Sequence, residues 1–106
     1  MYSIGLAMRL RPNAYAEYKQ AHDDLWPEIA DSMTDNEVSM AIYRLDEHLI
    51  IHAVAPTEED WLKSRQVPVL EEWYDYMAQL LETDAEGEII FEELPEAFAF
   101  GMFKEA

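Results

Sequence analysis

What most constrains this chain is the order in which its hydrophobic spacing switches between a period of two residues and a period near 3.6. Ile4, Leu6, Met8 and Leu10 alternate with Ser3, Gly5, Ala7 and Arg9, the spacing of a strand with one buried face. Pro12 closes that strand, and Asn13 is placed to cap a helix running from Ala14 to about Ala21. The segment Asp23-Asp24-Leu25-Trp26-Pro27-Glu28 reads as a break and a restart, because proline fits the first helical turn, where its missing N–H has no partner anyway. The restarted helix is predicted to run to about Met33.

Val38, Met40 and Ile42 then alternate with Ser39, Ala41 and Tyr43. A turn at Asp46-Glu47 leads into a β-rich run from Leu49 to Ala55. The two runs form a predicted hairpin, which Pro56 ends. Thr57 followed by Asp60 resembles a capping box at the head of the next helix. Pro68 interrupts that helix, after which Val69, Leu70, Trp73, Tyr74, Met77, Leu80 and Leu81 recur at helical spacing. Asp84 to Gly87 is turn-like, and Ile89–Phe91 and Ala97–Phe103 are expected strands. The order βαββαβ is that of a ferredoxin-like α+β sandwich, and residues 1–106 are expected to make one domain. Helices would cover one face of its sheet. The other face is apolar enough to need a cover, which points to a face-to-face homodimer or to a ligand pocket there.

Charge narrows the partners. The net charge is −16, with 23 acidic residues against 7 Lys and Arg. Nucleic acid and anionic membrane surfaces are disfavoured by repulsion, and a small neutral molecule is the expected ligand. The chain has no cysteine, so neither a disulfide nor a thiolate metal site is available. The short apolar start MYSIGLAMRLRP has no basic region before it, and no run reaches membrane-spanning length. The expectation is therefore a cytoplasmic protein without a signal peptide.

Tyr18 and His22 stand four residues apart on one helical face, with Trp26 at the break beyond them. A histidine suits proton transfer near neutral pH, and a phenol can donate a hydrogen bond. Trp73 and Tyr74, with Tyr76 nearby, form an aromatic group of the kind that stacks on the C–H faces of sugars. From spacing alone, both groups read first as ordinary packing between helix and sheet. His48 and His52 would lie about 13 Å apart on a strand, too far to share one metal ion. No HExxH, EF-hand or paired-histidine pattern is present, so no metal is expected. With three glycines and no GxGxxG, GxxxxGK[ST] or GxSxG, phosphate-cradling loops and a nucleophile elbow are not expected either.

The stretch Glu17-Tyr18-Lys19-Gln20-Ala21-His22-Asp23-Asp24-Leu25-Trp26-Pro27-Glu28 resembles the L-rhamnose mutarotase pattern E-Y-x-x-R-H-x-x-I-W-P-E. Ala41-Ile42-Tyr43, Trp73-Tyr74-x-Tyr76-Met77 and Leu94-x-Glu96-x-Phe98 extend the resemblance over nearly the whole chain. It implies a dimeric, α/β-barrel-like assembly of ferredoxin-like subunits and a cofactor-free isomerase that interconverts the α and β anomers of a free deoxy sugar. His22 would then be the general acid/base and Tyr18 a catalytic or substrate-contacting phenol. Trp26, Met40, Trp73 and Tyr74 would stand at the substrate. Three positions depart from the family pattern. Ala21 replaces an arginine, Ser39-Met40 replaces Asn-Tyr, and Tyr74 replaces a second tryptophan. Two other functions fit the same predicted fold: a cofactor-free oxygenase or lactone isomerase, and a non-enzymatic dimer that binds a small ligand.

Overall fold

A computed structural model describes residues 1–104. Its elements run β1 (Tyr2–Arg9), α1 (Tyr15–Asp23), α2 (Pro27–Asp35), β2 (Ser39–Leu45), β3 (His48–Ala55), α3 (Glu58–Ser64), α4 (Leu70–Met77) and β4 (Glu92–Glu93). The sheet is four-stranded and antiparallel in the order β2-β3-β1-β4, the strand order of the ferredoxin-like sandwich. Each crossover helix is in two pieces. Proline accounts for the first break, because Pro27 forces the residue before it out of helical geometry. Trp26 accordingly sits at φ −59° and ψ 131°. Pro68 stands in the second break, between α3 and α4.

The strand alternation sorts residues as the sequence predicts. In register, Met8 faces Leu49, Leu6 faces Ile51 and Ile4 faces Ala53, with Met40 and Ile42 beside Ala53 and Ile51 on the next strand. This face packs under Tyr18, Ile29, Trp61, Leu70, Trp73 and Met77 from the helices to form the core. Burying a large apolar side chain is worth ~1.5–3 kcal/mol each. The opposite face carries Gly5, Ala7, Ala41, Tyr43, Ile50, His52 and Val54, with Tyr43 65% exposed. No helix among the described residues is long and apolar enough to cross a membrane.

Four local expectations need correction. Asn13 does not cap α1 with its side chain. It takes a left-handed conformation (φ 62°), which asparagine tolerates, and Ala14 occupies the cap position with no side-chain bond. The last long helix stops at Met77, short of Leu80 and Leu81. There the end of β1 competes for the backbone: the Arg11 N–H donates to Leu80 O at 2.9 Å and the Glu82 N–H to Arg9 O at 2.8 Å. Leu10 and Leu81 bridge and are fully buried.

Ile89–Phe91 is not a strand; Ile89 makes only an isolated bridge to Thr83, and β4 follows at Glu92–Glu93. Ala97–Phe103 is not a strand either. The Leu94 N–H donates to Gly5 O at 2.8 Å, and proline, a residue of strand ends and edges, follows at position 95. The chain then leaves the edge of β1 and crosses the outer face, ending in a 3-10 turn at Gly101–Phe103. The Phe103 ring rests 5.2 Å from His52. Thr57, by contrast, caps α3 as expected, its hydroxyl oxygen accepting from the Asp60 N–H at 3.1 Å.

Candidate functional site

Between the inner face of the sheet and the helices lies a cavity of about 290 Å³, close to the lower end of the ~300–1,000 Å³ common for small-molecule sites. Tyr18 and His22 reach it from α1, Met40 and Ile42 from β2, and Trp73 and Tyr74 from α4. A second cavity of about 360 Å³ shares Tyr18, His22, Met40 and Ile42 as walls and extends past Lys19, Asp23 and Arg44. Those four side chains therefore stand between two hollows on either side of α1. No aspartate or glutamate lines the first cavity.

The helix that carries the Tyr18–His22 pair also fixes its geometry. Residues four apart share a helical face, and the two rings stack with centroids 4.2 Å apart and planes 31° apart. His22 Nδ1 lies 2.8 Å from the backbone oxygen of Tyr18. A carbonyl oxygen can only accept, so Nδ1 carries the hydrogen and the neutral ring presents its lone pair at Nε2. Burial lowers the His22 pKa below 6.5 and outweighs the Tyr18 carbonyl and the Asp23 charge, which both raise it. Burial also pushes the Tyr18 phenol above its ordinary value of 10.0. Near neutral pH the pair is thus an uncharged base beside a protonated phenol.

Trp73 packs edge-on against His22 at 5.1 Å and limits how its ring can turn. Trp26 does not line either cavity. Held extended before Pro27, it packs edge-on behind Trp73 at 5.2 Å and stacks on Tyr76 at 6.4 Å. Its position backs the aromatic wall from outside both cavities. Tyr74 stands at the opposite rim, 6.2 Å from Phe91. His48 and His52 lie on the other side of the sheet. Among the described residues, no three His, Asp or Glu side chains come together to hold a metal ion.

The residue pattern of the L-rhamnose mutarotase family matches residues 3–100 of this chain. The chain belongs to that family. An L-rhamnose mutarotase of Bacillus subtilis (strain 168) is 32% identical over 94 residues, covering 86% of this chain and 90% of its own. The crystal structure of an L-rhamnose mutarotase from Formosa agariphila superposes with a TM-score of 0.78 at 23% identity, covering 95% of this chain and all of that one. A chain from Nitrosomonas europaea assigned to the antibiotic biosynthesis monooxygenases superposes at 0.65 with 11% identity, covering 92% and 100%. That last likeness is one of fold alone. The family is one of isomerases acting on a carbohydrate, so the oxygenase alternative has fold analogy behind it and nothing more.

Sequence reasoning missed several walls of the cavity. Trp61 and Arg65 close one side, and Ile89 and Phe91 close another. Trp61 offered a signal, since it opens the helical run after the Thr57 cap. Arg65 offered none, because only the packing of α3 against the sheet turns it toward the cavity.

Proposed function

We propose that this protein is a sugar mutarotase, which interconverts the α and β anomers of a free reducing deoxy sugar such as L-rhamnose by opening and reclosing its ring. The observation that carries the reading is the Tyr18–His22 pair, a neutral imidazole and a protonated phenol facing one apolar-walled cavity. Mutarotation needs such a pair. A base takes the proton from the anomeric hydroxyl and an acid gives one to the ring oxygen. The bond between C1 and the ring oxygen breaks as C1 becomes a carbonyl. Rotation about the bond from C1 to C2 presents the other carbonyl face, and the two proton transfers reverse as the ring recloses. Neutral His22 acts as the base through Nε2 and Tyr18 as the donor to the ring oxygen. Each such transfer contributes ~10²–10⁴-fold. Trp73 and Tyr74 supply aromatic surface for the sugar's C–H faces. No step requires a metal or organic cofactor.

The reading extends to assembly and location. The protein acts as a homodimer built on the outer sheet faces, with residues 1–106 as one domain, in the cytoplasm. What supports the dimer is exposed apolar surface: Phe98 is 81% and Phe100 76% exposed, and on β2 Tyr43 and Leu45 are also exposed. The absence of cysteine is compatible with a reducing compartment.

The test is magnetisation-exchange NMR on the α and β signals of L-rhamnose and other reducing sugars. The wild-type protein should accelerate exchange, and His22→Ala should reduce the acceleration by ~10²-fold or more while circular dichroism stays unchanged. A folded His22→Ala protein exchanging anomers at the wild-type rate would remove His22 from the chemistry.

A further inference from the structure

The cavity holds one side chain that the proton chemistry does not use. Arg65, at the C-terminal end of α3, lines the cavity that His22 and Tyr18 also line. Two contacts fix its guanidinium. Its Nε–H donates to the hydroxyl of the fully buried Ser64 at 3.2 Å, and that hydroxyl donates in turn to Trp61 O at 2.6 Å. Its central carbon stands 4.8 Å from the centroid of the Trp61 ring. Nη2 is left buried and without any hydrogen-bond partner, and among the described residues Arg65 is in none of the ion pairs. A buried donor with no acceptor is costly and uncommon in folded proteins. A guanidinium already held at one end loses little further freedom when an acceptor arrives.

From this arrangement we infer that Arg65 is a specificity-determining residue, its guanidinium donating to an oxygen of the bound sugar. The inference rests on the reading that this cavity takes a free sugar. The remaining walls are largely apolar or aromatic, so they recognise shape and C–H surface, whereas Arg65 reads where an oxygen lies. The acceptor is a hydroxyl of a neutral sugar or the carboxylate of a sugar acid. Either serves a guanidinium, and the carboxylate does so more strongly. Arg65 takes no part in proton transfer, because a guanidinium stays protonated throughout.

The experiment compares the wild-type protein with Arg65→Met and Arg65→Lys, using L-rhamnose and D-galacturonate as probes. Affinity is read from tryptophan fluorescence, since Trp61 and Trp73 both line the cavity, and exchange is read separately by NMR. Arg65→Met should weaken binding of the preferred probe by about tenfold or more, the scale of a lost hydrogen bond to a charged donor. The half-saturation concentration should rise in parallel, while exchange at saturation changes far less. Arg65→Lys should recover part of the affinity. A larger loss with D-galacturonate identifies a carboxylate acceptor, and a larger loss with L-rhamnose a hydroxyl. A folded Arg65→Met protein that binds both probes as tightly as wild type overturns the inference. So does one that keeps its affinity but loses exchange at saturation. Should Arg65→Met fail to fold, the same comparison is made with Arg65→Gln. A wild-type protein that binds sugar without accelerating exchange, and loses that binding in Arg65→Met, refutes the mutarotase reading and leaves Arg65 in its role. No sugar binding by wild type refutes both.

Discussion

His22 Nδ1 donates to the backbone oxygen of Tyr18 across 2.8 Å, so the same turn of α1 that brings the two rings together also decides which nitrogen of the imidazole is basic. With its pKa lowered by burial, His22 should work as a base to lower pH than a free imidazole. Anomer exchange should fall on acidification with a midpoint below 6.5, measured as saturated exchange rate against pH. A midpoint at or above 6.5 would mean that His22 is not the titrating base.

The same shift predicts a stability effect with a definite sign. Above pH 6.5 His22 is neutral in both folded and unfolded chains. As pH falls through 6.5 toward the lowered folded value, the unfolded chain takes up the proton first, so folding weakens. Urea midpoints of wild type and His22→Asn, compared between about pH 8 and pH 5, should show the wild type losing more stability than the variant. An equal loss would contradict the burial of the imidazole.

Tyr18→Phe keeps the ring that packs on His22 and removes only the hydroxyl. We expect saturated exchange to fall by ~10²-fold or more, with stability altered by no more than about 1.5 kcal/mol. Paired exchange NMR and urea denaturation separate the two effects. Wild-type exchange in this variant would pass the donor role to another group or to water.

Met40 stands in the wall shared by both cavities, at a position where the family pattern carries a phenol. Met40→Tyr should tighten L-rhamnose by up to about tenfold, one hydrogen bond of ~0.5–1.5 kcal/mol. Tryptophan fluorescence titration measures it. Unchanged affinity would show that the sugar does not reach β2 at this residue.

Light scattering should give twice the 12.4 kDa chain mass at micromolar concentration. Tyr43→Glu and Leu45→Glu, each placing a charge on the outer face, should shift the protein toward monomer. A wild-type monomer would remove the outer sheet face as an interface.

Much of the fold was legible because its signals are local. The alternation around Ile4–Leu10 and Met40–Ile42, the Thr57 cap and the Pro27 break each depend on a few neighbouring residues. Misreadings arose where distant backbone decided the outcome. The helix through Leu81 lost to the end of β1, and the run at Ala97–Phe103 leaves the sheet edge after Pro95 instead of pairing along it. The site divides the same way. Tyr18 and His22 are one helical turn apart, so their spacing already pairs them. Trp26 shares that motif yet stands behind Trp73, because the extended residue before a proline points where tertiary packing sends it. Arg65 belongs to no motif and faces the cavity only once α3 has docked.

The breaks in the crossover helices carry a consequence for how the site is assembled. α1 and α2 have nine residues each, α4 eight and α3 seven, and isolated helices shorter than ~12–15 residues are marginal in water. None of them holds its shape away from the sheet. Tyr18 and His22 therefore acquire their mutual geometry only when the strands beneath them have paired. A fragment lacking the paired strands is accordingly expected to lose the stacking of Tyr18 on His22 along with its helices.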